Sequence, residues 1–143
     1  MSEREAASVL LPTVRWTAAC DRMAAQLRPG DELFVVCDSP EDPVADTDSP
    51  EGVEILVAGD PVGCSGKANA IACGMEHASN ERFVWTDADF ERDGDWLDRL
   101  VTEGESHGPA TAVPFWYGDG FWAIIEPWAA MFATLLIYLG LRS

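Results

Sequence analysis

Lysine is almost missing from this chain: Lys67 is the single one, and the other eight of its nine basic residues are arginines. Against 25 acidic residues they leave a net charge of −16. A surface of that sign repels phosphate backbones at long range, which excludes general nucleic-acid binding through a basic face. A small nucleotide remains admissible, because a bound cation can invert the field locally. The acidic, lysine-poor composition resembles that of halophilic proteins, whose dense carboxylates keep the surface hydrated. Paired cysteines are absent too. Cys20, Cys37, Cys64 and Cys73 form no C-x-x-C, which excludes the usual zinc spacings and a secreted disulfide framework, so all four are expected to be reduced. The opening MSEREAASVLLPTV has neither the basic lead nor the long apolar run of an export signal. His77 and His107 stand alone, with no Ser-His-Asp or Cys-His arrangement around them.

Apolar material is plentiful. Hydrophobic residues make up 48% of the 143, with six tryptophans, enough for one core and inconsistent with disorder. Short apolar runs alternate with amphipathic stretches, the pattern of an α/β domain on a mainly parallel sheet flanked by helices. Strands are expected at Ala7–Leu11, Asp31–Cys37, Val53–Val57, Arg82–Thr86 and Ala110–Pro114. Helices are expected at Thr17–Gln26, ended by Pro29-Gly30, at Gly66–His77 and from Trp96 to about Gly104, the last capped by Asp93-Gly94-Asp95. The acidic, Pro-rich stretch from Asp38 to Gly52 reads as a mobile surface loop that does not pack.

After residue 114 the composition changes, dividing the chain into a sheet domain, 1–114, and an aromatic, apolar segment, 115–143. Residues 121–141 have the length of a membrane span, but Glu126 and Pro127 interrupt them. The uncharged remainder, 128–141, suits an apolar helix lying against a membrane surface or buried in an interface.

In a parallel α/β sheet, ligands collect beyond the carboxyl ends of the strands. Four groups of polar residues fall there: Pro12-Thr13, Asp38, the loop Gly63-Cys64-Ser65-Gly66-Lys67, and Asp87-Ala88-Asp89. On extended backbone Asp87 and Asp89 share a face. Two carboxylates so placed suit a hard divalent cation such as Mg²⁺ or Mn²⁺ that keeps positions open for substrate phosphates. The loop before Lys67 fails as a P-loop, since Pro61 replaces the first Gly and Ala68 the hydroxyl; the first strand runs into Pro-Thr-Val-Arg, so it carries no G-x-G-x-x-G. It still offers backbone N–H groups at a helix start and one ammonium, which suit an anion. Asp38 is suited to a base imide or a ribose hydroxyl.

SVLLPTVRW, LFVVCDSPED, DPVGCSGKANAIACGM and RFVWTDADF, in that order over residues 7 to about 100, resemble the inverting family-2 glycosyltransferases of GT-A fold. The resemblance implies a nucleoside held by Pro12, Thr13 and Asp38, a donor site bordered by Gly66, Lys67 and Asn69, and a D-x-D in which Asp87 meets the diphosphate while Asp87 and Asp89 hold Mg²⁺ or Mn²⁺. The implied donor is a uridine or guanosine diphosphate sugar, the acceptor a lipid or glycan, and the place the cytoplasm or the cytoplasmic face of the cell membrane. Such enzymes continue with an acidic general base and often a Q/R-x-x-R-W motif, and neither follows residue 100. The expectation is therefore a truncated or split enzyme that keeps the donor half, with no catalytic base assigned. The alternative is a non-catalytic nucleotide-sugar-binding or membrane-associated interaction domain.

Overall fold

The computed structural model describes residues 4–112 and, beyond them, residues 125, 128, 129, 131 and 132, whose backbone is helical. The chain divides into two units, Met1–Ala110 and Thr111–Ser143. Most of the apolar helix expected over 128–141 lies outside the described residues. Among the described residues no helix is long and apolar enough to cross a membrane.

The first unit is a four-stranded parallel sheet with three helices. In chain order these are β1 (Ser8–Pro12), α1 (Ala18–Ala24), β2 (Glu32–Cys37), β3 (Val53–Val57), α2 (Gly66–His77), β4 (Phe83–Trp85) and α3 (Trp96–His107). The strands lie in the order β3-β2-β1-β4, with Leu10 of β1 in register with Phe34 on one side and Trp85 on the other. The two most continuous apolar runs, VLL and LFVVC, take the central positions, where both faces are covered.

Alternation along these strands sorts the core into two layers. Val9, Leu11, Leu33, Val35 and Cys37 point to one face, where Cys20 and Met23 of α1 and Leu97 and Val101 of α3 cover them. Leu10, Phe34, Val36 and Leu56 point to the other, under Ala70 of α2. Gly74 lets α2 come this close, since a Cβ there would lie 2.8 Å from Leu10 Cδ2. A side chain such as Leu10, buried completely, contributes roughly 1.5–3 kcal/mol relative to exposure.

Several boundaries depart from expectation. β3 and α2 occupy the expected spans, β1 is shifted by one residue, β2 and β4 are shorter by one residue at one end and at each end respectively, and α1 is shorter because Thr17 is its cap and Ala25-Gln26 form a turn. Thr17 caps α1 by accepting Ala19 N–H. α3 runs on to His107, and its expected acidic cap is not formed: Asp95 makes no side-chain capping bond and instead lies 3.7 Å from Arg99. No fifth strand forms over 110–112, which are exposed and without a sheet neighbour; residues 113 and 114 lie outside the described set. The acidic β2–β3 connection does pack. Val44 is fully buried in the α1/α3 layer, its N–H donates to Val14 O at 3.2 Å, and the Asp42 carboxylate accepts the N–H groups of Asp38 and Ser39 at 3.0 and 2.9 Å.

The amino ends of the strands are tied by buried charge. Arg4 donates to both Asp31 oxygens at 2.9 and 2.6 Å and to Asp98 of α3 at 2.7 Å. Burial opposes the Asp31 carboxylate, but Arg4 and the N–H groups of Arg28 and Ala7 outweigh it and hold its pKa below the usual carboxylate range. Glu32 is treated alike: burial opposes its charge, and bonds from Ser79 and Ser8 overcome that and lower its pKa.

Candidate functional site

At the opposite end of the sheet the loops after β1, β2 and β4 and the start of α2 enclose a cavity of about 220 Å³. Its lining is Pro12, Thr13, Val14, Val36, Cys37, Asp38, Lys67, Ala70 and Asp87. This is the carboxyl edge of a doubly wound sheet, where a crevice opens between β1 and β4 because the chain leaves β1 toward one side and returns to β4 from the other. The cavity is smaller than the roughly 300–1,000 Å³ of drug-sized ligand pockets.

Each expected residue has a definite place. Pro12 ends β1, and Thr13 continues the pairing by donating its N–H to Val36 O at 2.9 Å. The Thr13 hydroxyl is spent locally, donating to Arg15 O at 2.9 Å. Asp38 is exposed just past β2. Its carboxylate lies against Gly66, where a Cβ would stand 3.4 Å from Oδ1, and the amino end of α2 favours that negative charge. Lys67 reaches across to Asp87, Nζ to Oδ1 2.5 Å. Pro12, Thr13, Asp38, Lys67 and Asp87 therefore meet in one cavity, with Gly66 behind Asp38.

Asn69 and Asp89 lie elsewhere. Asn69 donates to Ala58 O and Gly59 O at 3.3 and 2.9 Å, clamping the β3–α2 loop. The extended backbone that would have aligned Asp87 with Asp89 stops at Trp85; Ala88 and Asp89 form a turn, and Asp89 is exposed and outside the cavity lining. Cys37 lies in the cavity wall, where burial, and secondly the charge of Asp42, push its thiol pKa up.

For a divalent cation such as Mg²⁺, which takes one or two carboxylates and completes its shell with substrate phosphates and water, the cavity lining itself offers Asp87, whose carboxylate is paired with Lys67, and Asp38. Asp89, exposed on the turn that follows, lies outside that lining. No group of three or more acidic, His or Cys side chains forms a closed metal cage among the described residues.

Sequence reasoning overlooked Arg92. Its guanidinium donates to the Thr86 hydroxyl and, at 3.3 Å, to Asp87 O, and lies 5.2 and 4.8 Å from the ring centres of Phe90 and Trp96. Burial lowers its pKa, while the nearby charges of Asp87 and Asp89 work the other way. The available signal was an arginine placed five residues past Asp87, flanked by aromatics, in a chain with few bases.

The MobA-like NTP transferase domain family has a model that matches residues 10–139, a span that includes every cavity-lining residue. The match does not single out the family-2 glycosyltransferases. No curated protein and no solved structure matches the chain.

Proposed function

Starting from the fact that this chain belongs to the MobA-like NTP transferase domain family, a family of transferases with nucleotide-based donors, we propose that its cavity binds a nucleoside-diphosphate sugar and serves transfer of the sugar to a lipid or glycan acceptor. The observation that carries this reading is the meeting of Pro12, Thr13, Asp38, Lys67 and Asp87 in one cavity at the carboxyl edge of the sheet. The base and ribose fit between the Pro12–Val14 turn and Asp38, whose carboxylate accepts from an imide N–H or a ribose hydroxyl. The diphosphate then runs toward α2, where Lys67 exchanges its exposed pairing with Asp87 for a phosphate oxygen. That exchange costs little, because a solvent-exposed ion pair is worth only about 0–1 kcal/mol.

Asp87 and Asp89 are the residues that would hold Mg²⁺ or Mn²⁺, and when bound such an ion supplies positive charge for the departing diphosphate. In the transfer the bond from the anomeric carbon to the diphosphate oxygen breaks, the acceptor hydroxyl oxygen bonds to that carbon, its proton passes to water, and the nucleoside diphosphate leaves with the bonding electron pair. The negative charge gathers on the diphosphate, facing Lys67. The acceptor at the cytoplasmic membrane face belongs to the same proposal and rests on the aromatic segment after residue 114. Liposome flotation with and without residues 121–143 tests it: identical behaviour removes the membrane from the reading.

Calorimetry with UDP- and GDP-sugars in the presence of Mn²⁺ tests donor binding. Micromolar to millimolar affinity that falls at least tenfold in Asp87→Asn and Asp89→Ala supports it; no binding, or binding indifferent to both, overturns it. The family's description favours a second reading, in which a nucleoside triphosphate and a sugar 1-phosphate yield the nucleotide-sugar and pyrophosphate. Against it, the β1–α1 connection, Thr13 to Thr17, contains no glycine, so its backbone is poorly suited to wrapping a triphosphate. Pyrophosphate release from UTP or GTP with a sugar 1-phosphate would establish the second reading over the first, whereas sugar transfer or donor hydrolysis would exclude a purely binding domain.

A further inference from the structure

The turn carrying Asp87 and Asp89 receives little support from the sheet. β4 is three residues long, and the final ladder bond on this side is Thr86 N–H to Leu10 O, 3.1 Å. Beyond it, among the described residues, two side chains donate to the backbone of the turn: Thr17 to Ala88 O at 3.3 Å and Arg92 to Asp87 O at 3.3 Å. Arg92 adds a bond to the buried Thr86 hydroxyl from the same nitrogen.

Arg92 is itself fixed. Its guanidinium stacks near Trp96 and Phe90, and Trp96 opens α3, which is anchored by buried Leu97 and Val101 and by Leu97 N–H to Gln26 Oε1 at 2.9 Å. A line of contacts thus runs from the core through α3 and Arg92 to the Asp87 carbonyl. Lys67 holds the Asp87 carboxylate from α2, which covers the other face of the sheet. No carboxylate comes within 4 Å of the Arg92 guanidinium among the described residues, so its charge is not neutralised by a direct ion pair.

We propose that Arg92 is the positioning residue of this site: by holding Thr86 Oγ1 and Asp87 O against the α3 side, it aims the Asp87 carboxylate at the cavity and places a positive charge behind it. The inference rests on the donor-binding reading above. Arg92 does not touch the base or ribose end of the cavity, so its influence is confined to the diphosphate and cation end. An arginine suits the role because its planar group stacks on aromatic rings while still donating hydrogen bonds.

The test compares nucleosides with nucleoside diphosphates. Uridine and UDP, or guanosine and GDP, are titrated with Mn²⁺ into the intact chain and into Arg92→Met and Arg92→Lys. The expected result is at least a tenfold loss of diphosphate affinity in Arg92→Met, nucleoside affinity within twofold of the parent, and recovery of at least half the loss, on a logarithmic scale, in Arg92→Lys. A merely structural role would weaken nucleoside and diphosphate together, and that result overturns the inference, as does undiminished diphosphate binding in Arg92→Met. Should Arg92→Met not fold, Arg92→Gln, which keeps a donor but neither charge nor stacking strength, is judged by the same comparison. Absence of nucleotide binding by the intact chain overturns the donor-binding reading and this inference together; normal binding there with normal binding in the variants overturns this inference alone.

Discussion

Where the strands begin, Arg4 and Asp31 form an ion pair with side chains 3% and 1% exposed; where they end, Lys67 and Asp87 form one with side chains 58% and 37% exposed. The first pair makes further bonds: Asp31 accepts the N–H groups of Arg28 and Ala7, and Arg4 donates to Asp98. The second keeps free donors and lone pairs facing a cavity. Charges of the same types thus serve opposite ends. Groups that are buried and fully bonded hold the fold, and groups left partly bonded in water are available to a ligand.

The strongest way to break the comparison is at the buried end. Arg4→Met leaves Asp31 buried without its cation and is expected to lower the unfolding free energy by about 3–5 kcal/mol, read by urea titration, while nucleotide affinity per folded molecule stays unchanged. A parallel loss of affinity would show that the two ends are not independent. Next in size is Gly74→Ala beneath the middle of the sheet. The added Cβ meets Leu10 Cδ2 at 2.8 Å, an overpacking cost of roughly 1–3 kcal/mol set against a helix-propensity gain of about 1 kcal/mol. A net loss is expected in the melting temperature.

Acid sharpens the contrast. Asp31 and Glu32 have folded pKa values below their ordinary values of 3.8 and 4.5. Between each folded value and its ordinary value the unfolded chain binds the extra proton. Their stabilisation is thus complete at neutral pH and disappears as pH falls below about 4 toward those depressed values. Thermal melts followed down through that range should show the decline, and Asp31→Asn should flatten it. The smallest effect on stability is expected from Lys67→Gln, under about 0.5 kcal/mol for so exposed a pair, yet the same variant should lose affinity for UDP or GDP in calorimetry. A large loss of stability there would place Lys67 among the structural residues.

The sequence disclosed these two ends unequally. Short apolar runs located β1, β2 and β3, and the expected span of α2 was met, because such patterns depend on neighbours close in sequence. The order β3-β2-β1-β4 is a matter of long-range pairing that no local pattern encodes. Val44 was missed because a single apolar residue among Asp and Pro carries no periodicity. The strand expected at Ala110–Pro114 does not form over 110–112, the part of it among the described residues, because these have no neighbour to pair with. At the site, spacing located the residues of four loops at one edge. It failed for Asp89, because the backbone turns at Ala88, and for Asn69, whose side chain is engaged by the carbonyl groups of Ala58 and Gly59, and it passed over Arg92, which bonds to Thr86 and Asp87.

Cys64 sits exposed in the loop leading into Lys67, whereas Cys20 and Cys37 are buried and Cys73 is partly covered, with burial pushing the Cys37 and Cys73 thiols up. A maleimide dye offered near neutral pH should therefore attach at one place without mutagenesis. The fluorophore would stand a few residues from the proposed diphosphate path, giving the unaltered chain an optical signal for ligand arrival and release.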